Sequence, residues 1–217
     1  MHKKIVSLLI SISCLAIISG CASSKSGGTS DQSEESANQT KLQKDLAKAP
    51  PEWSSSGDED IDAIGEKVWN LVDGSHTRMN QVNTKLENHT EYMQFLRTLE
   101  SRPGITADAL LKEWKADTEG LAKQVPAVEA GSEAMANDLN AFEIFLKETL
   151  QLPEIVKIAA NVESIKAKLD SANFLMKAKL GKAAINLPKG GAYIFHCNGV
   201  IKKLKSNNDA LLSASKS

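Results

Sequence analysis

The sequence predicts an all-α protein, an elongated up-and-down bundle of three to four long helices with coiled-coil-like heptads. Two observations lead there. From Asp58 onward apolar residues recur at three- and four-residue intervals, which places them on one face of a helix. The connections between these runs are short and carry Pro or Gly, so consecutive helices must lie antiparallel.

The first run opens with Asp58, Glu59 and Asp60, negative charges suited to the positive end of a helix dipole. Ile61, Ile64, Val68 and Leu71 begin its spacing. After a shift near Gly74-Ser75 the pattern resumes as Met79, Val82, Leu86, His89, Met93 and Leu96, and "SRPG", Ser101 to Gly104, ends it. The second run takes Thr106 as N-cap and keeps heptad spacing through Leu111, Trp114, Thr118, Leu121, Val125, Val128, Ser132, Met135, Leu139, Phe142, Leu146 and Thr149. Pro126 sits inside it, and two arrangements fit: one helix kinked at Pro126, or two helices joined by a loop. The unbroken register favours the kink.

The third run, Ile155, Ile158, Val162, Ile165, Leu169, Ala172 and Met176, starts after Pro153 and stops before "LPKGG", which reads as a turn. The last segment, Gly191 to Ser213, carries Tyr193, Cys197, Val200, Leu204 and Leu211 at roughly helical spacing, although "AYIFHC" also suits a short strand. Helices of some 40 residues would run about 60 Å at 1.5 Å per residue. Heptads this long also lead to the expectation of self-association.

Ahead of the bundle lie two segments of different character. Residues 1–20 have a lysine-bearing start, an apolar stretch from Ile5 to Ile18 and the small residues Ser19 and Gly20, the pattern of a cleaved signal peptide. The stretch falls short of the roughly 20 apolar residues that cross a bilayer. Ile18, Ser19, Gly20 and Cys21 are similar to the lipobox of the bacterial lipoprotein family, with Ile18 where Leu is usual. The resemblance implies cleavage before Cys21, a lipid on the Cys21 thiol, often a further acyl chain on the new amine, and, with Ala22 following, sorting to the outer membrane. The other reading of these residues is an ordinary secreted chain cut near Ala22. Residues 21–57 are rich in Ser, Gly, Gln, Asn and Lys and read as a flexible tether. Pro50-Pro51 forms a stiff stop, and Trp53 reads either as docking on the folded part to end the tether or as a merely exposed Trp. Residues 58–217 form the helical bundle domain.

Charge divides the chain. Glu52 to Glu154 holds 20 acidic and 9 basic residues, Ile155 to Ser206 only 2 acidic and 10 basic. Either the two parts pack with complementary fields or the basic part meets an anionic surface. Segment 155–184 has six lysines to two acids and is the stretch from which a membrane-active or pore-forming role would be drawn.

Patterns for chemistry are missing. No mature histidine has Glu three residues earlier, as di-iron bundles need, and Cys-x-x-Cys-His, Gly-x-Ser-x-Gly, His-Glu-x-x-His and phosphate-loop patterns do not occur. No catalytic residue, metal ligand or cofactor is therefore expected. His89 stands at a heptad position and reads as a core residue fixing register with Thr118 and Ser132, or as a ligand or pH-sensing group. Cys197 reads as a small buried apolar residue. The functional expectation is a lipid-anchored, non-enzymatic cell-envelope protein of the outer membrane. It would hold the membrane through its N-terminal lipid and contact an envelope protein, with no role in binding nucleic acid.

Overall fold

The computed structural model describes residues 40–216, and among them are eight α-helices and no strand. In chain order these are α1 (Lys41–Leu46), α2 (Glu59–Glu87), α3 (Thr90–Ser101), α4 (Ala107–Ala116), α5 (Val125–Gln151), α6 (Pro153–Val156), α7 (Ile158–Ser171) and α8 (Phe174–Ser215). The described residues form one compact unit.

The trunk runs up, down and up. Pairs Lys67–Glu154 and Lys85–Asp138 set α2 antiparallel to the path through α5 and α6, and Lys168 of α7 reaches Asp58 just before α2. Helix α8 returns along the whole length, from Lys179 beside Gly57, past Gly190 against Val68 and Trp69, to Asn208 against Ser132. Its 42 residues measure about 63 Å. The fold class expected from the sequence is the one observed.

The core follows heptad geometry, but its register differs in places from the sequence reading. In α2 the buried series is Ile61, Gly65, Val68, Val72, Ser75, Met79, Val82 and Leu86, an unbroken pattern with no shift at Gly74-Ser75. Two of its members, Gly65 and Ser75, are too small to register as apolar. The expected single helix to Ser101 breaks at Asn88-His89, where α3 turns so that Tyr92 packs against Gly131 of α5.

Pro126 does not kink a helix. It stands in the first turn of α5, where a missing N–H costs nothing. The preceding loop is held by Asp117 Oδ2, which accepts from the N–H groups of Gly120 (2.9 Å) and Leu121 (2.8 Å). Gly120 has φ 146°, a value that excludes other residues. The two-helix arrangement holds instead.

"LPKGG" is no turn, and "AYIFHC" is no strand: both lie inside α8. Pro188 faces solvent, while Gly190 and Gly191 let neighbours approach. A β-carbon on Gly190 would lie 2.9 Å from Trp69 and one on Gly191 2.7 Å from Ile158. Packing on both sides outweighs the roughly 3 kcal/mol that an interior proline costs. The third run breaks at Ala172-Asn173, where Asn173 caps α8 by accepting from Met176 N–H at 2.9 Å.

Residues 40–57, expected as the end of a flexible tether, are folded onto the bundle. Leu46 and Ser56 are fully buried. The remainder of the expected tether, and residues 1–20, lie outside the described residues.

Candidate functional site: the seat of the N-terminal strap

The strap is residues 40–57. Composition suggests disorder because its own apolar content is small; it is ordered because the trunk supplies the partners it lacks. Three trunk side chains donate to or bridge with strap carbonyls. Trp69 Nε1 donates to Pro51 O at 3.1 Å, Tyr193 Oη donates to Lys48 O at 3.2 Å, and His196 Nε2 lies 3.0 Å from Asp45 O. His76 Nδ1 stands 2.9 Å from Tyr193 Oη and orients it. Each bond satisfies a main-chain carbonyl that no regular element pairs.

Trp53 fills a notch cut by a glycine. Its ring stacks on Trp69 with centroids 5.0 Å apart, and a β-carbon on Gly65 would fall 2.0 Å from Trp53 Cζ2. Only a residue without a side chain lets the indole lie against α2. The expectation that Trp53 docks is met, and Gly65 is the residue that makes it possible.

A carboxylate ties the strap to the start of α2. Asp62 accepts from Ser55 Oγ (2.6 Å), Ser56 N–H (2.6 Å), Ser56 Oγ (2.8 Å) and Gly57 N–H (3.1 Å). Burial pushes this carboxyl up, but the hydrogen bonds from Ser55, Ser56 and Gly57 outweigh it and hold it below the ordinary value. Beside it, the Lys168 ammonium bonds Asp58 at 2.7 and 2.8 Å and lowers that carboxyl as well. At the other end, α1 is capped by Thr40, and Glu100 Oε2 accepts from Leu42 N–H at 3.2 Å.

The polar positions singled out from the sequence do not come together. His89 sits half-buried at the α2–α3 break and Thr118 is exposed in a loop, whereas Ser132 is buried and bonded to Asn208. The buried polar group that does form is Tyr92, Ser132 and Asn208, joining α3, α5 and α8. Both hydroxyls donate to Asn208 Oδ1, at 2.6 and 2.8 Å, while Asn208 Nδ2 has no partner. Neither Tyr92 nor Asn208 carried a signal in the sequence, because a single polar residue in an apolar series marks no pattern by itself.

Chemical reactivity here is low. Cys197 is fully buried, and burial pushes its thiol up to about 11, so the nucleophilic thiolate is scarce at neutral pH. Among the described residues no group of three or more His, Cys, Asp and Glu gathers as metal ligands would. Cys21 lies outside the described residues. The basic segment 155–184 is divided among the end of α6, α7 and the start of α8; Ile155, Ile165, Leu180 and Ala183 are in the core, whereas Val156, Phe174 and Leu175 are exposed. Comparison with protein-family models, with curated proteins and with solved structures finds no match to this chain.

Proposed function

We propose that this is a lipid-anchored, non-enzymatic protein of the bacterial outer membrane, tied to the bilayer through Cys21 and acting through protein contacts of its helical trunk. The observation that carries the reading is the strap. The segment that would lead to the anchor is locked onto the trunk at Asp45, Lys48, Pro51, Trp53 and Ser56. A force on the anchor would pass into α2 and α8 rather than into a loose linker. The chain between Cys21 and Thr40 can reach at most about 65 Å, which sets the distance at which the trunk meets an envelope partner.

A pore-forming role for segment 155–184 is the weaker reading. It would require α7 and the start of α8 to leave the core, and no helix among the described residues is long and apolar enough to cross a membrane.

Fractionation tests the proposal. In high salt, wild-type protein should stay with outer membranes, while Cys21→Ser should be lost from that fraction. Equal membrane association of the two proteins in high salt would contradict the anchoring role of Cys21.

A further inference from the structure

From Phe174 to Phe195, helix α8 carries a second face that the bundle does not use; the next residue in its sector, His196, is taken by the strap. At 100° per residue, Phe174, Ala178, Gly181, Ile185, Ala192 and Phe195 fall in one sector of about 100°, opposite the core series of Leu180, Leu187, Ile194 and Ile201. The three large side chains of this face are exposed, Phe174 at 85%, Ile185 at 59% and Phe195 at 50%. Pro188 lies in the same sector and is also exposed, and nothing stands within 4 Å of a β-carbon placed on Gly181. Leu175, 74% exposed, widens the face at its start. The strip is about 32 Å long and one helix wide, on the order of 300 Å², the size at which an apolar patch marks a place of contact.

Its charge selects the occupant. No acidic residue occurs in α8 before Asp209, while Lys177, Lys182 and Lys189 stand beside the strip with no ion pair among the described residues. The nearest acids of α7 are Asp170 at its end and Glu163, which is paired with Lys166. Asp58 and Asp60 are engaged by Lys168 on the side of α7 facing the start of α2. Protruding Phe, Leu and Ile edged by lysines match the boundary between acyl chains and anionic headgroups. A second copy fits less well, since antiparallel pairing about Ile185 brings Lys182 close to Lys189 of the copy.

We infer that the Phe174–Phe195 face of α8 docks on an anionic phospholipid surface, lying in the interface without crossing it. The docking is independent of the lipid on Cys21 and therefore goes beyond the anchoring reading.

The test uses residues 21–217 with Cys21→Ser, so that no lipid contributes, in sedimentation with vesicles of phosphatidylcholine alone or with 30% phosphatidylglycerol. Binding is expected to the anionic vesicles at low salt and to weaken as salt rises. Replacing Phe174, Ile185 and Phe195 together by Ser should lower it at least about tenfold with the circular dichroism melt unchanged, because none of the three is in the core. Lys182→Gln with Lys189→Gln should lower it on the order of 20-fold. Absence of binding to anionic vesicles at low salt, or binding indifferent to the triple replacement, would overturn the inference. So would a dimer in light scattering that strengthens with salt and is abolished by the triple replacement, since the face would then belong to a second copy.

Discussion

Replacing Gly65 by Ala probes the strap through a sign reversal. The new β-carbon would lie 2.0 Å from Trp53 Cζ2 and 2.3 Å from Cε2, and the indole cannot step aside while it is stacked on Trp69. The strap must lift there. Trp53 is half-buried, so lifting returns on the order of 100 Å² of apolar surface to water, about 2.5 kcal/mol. Loss of the Trp69–Pro51 hydrogen bond adds about 1 kcal/mol. Against this, Ala in place of Gly in a helix gains about 1 kcal/mol. Gly65→Ala alone should therefore destabilise by about 2.5 kcal/mol, and Trp53→Ala alone, which keeps the Trp69–Pro51 bond, by about 2.5 kcal/mol as well. In the Trp53→Ala background, however, Gly65→Ala should stabilise by about 1 kcal/mol. Urea unfolding gives the four free energies, and trypsin cleavage after the exposed Lys48 reports whether the strap is seated. If Gly65→Ala stabilises both backgrounds equally, Trp53 does not occupy the notch and the reasoning fails.

Further outcomes follow from the same geometry. The carboxyls of Asp62 and Asp58 are both held below their ordinary value of 3.8. Their contribution is therefore present above about pH 4 and lost as pH falls through the lowered values, so nicking of the strap by the acid-active protease pepsin should rise only below about pH 4. Asp62→Asn puts an NH₂ group against the Ser56 or Gly57 N–H and should loosen the strap by about 1–2 kcal/mol at neutral pH, read as faster amide exchange over residues 45–57. Tyr92→Phe should cost about 1 kcal/mol, a fall of about 2–4 °C in Tm, whereas Asn208→Ala, which strands the Tyr92 hydroxyl and leaves Ser132 only the longer bond to the Asn208 main-chain oxygen, should cost about 2–3 kcal/mol. Pro188→Ala should stabilise by about 1–2 kcal/mol in a thermal melt, because it restores a donor within an exposed stretch of α8. Cys197 should resist a thiol reagent until the chain unfolds, with the labelling rate following urea-induced unfolding.

Much of the trunk was legible because heptads made of Ile, Leu, Val and Met announce themselves. The second run shows this most clearly: from Val125 to Thr149 every residue assigned to the core is buried. The register errors in α2 and α8 share a cause, since each arises where a small or helix-breaking residue serves tertiary packing. Gly65 and Ser75 occupy core positions of α2, and Gly190 and Gly191 admit Trp69 and Ile158, so a pattern read from large apolar side chains loses its register there. Pro126 was misread in the opposite sense. The Asp117–Gly120 turn restores the heptad phase after interrupting the helix, and periodicity alone cannot distinguish that from a kink. The strap was hidden for a thermodynamic reason. Its order comes from Trp69, Tyr193 and His196, residues distant in sequence that donate to or bridge with main-chain carbonyls, and local composition holds no trace of such partners. The exposed α8 face was hidden in turn by treating "LPKGG" as a turn, which cut its 42-residue helix in two.

The intact mass of the mature protein extracted from membranes tests the account at its centre. A mass equal to Cys21 to Ser217 plus two or three acyl chains, absent from the Cys21→Ser variant, is the predicted result. An unmodified chain beginning near Ala22 would contradict it, leaving a freely secreted bundle whose strap has no anchor to serve.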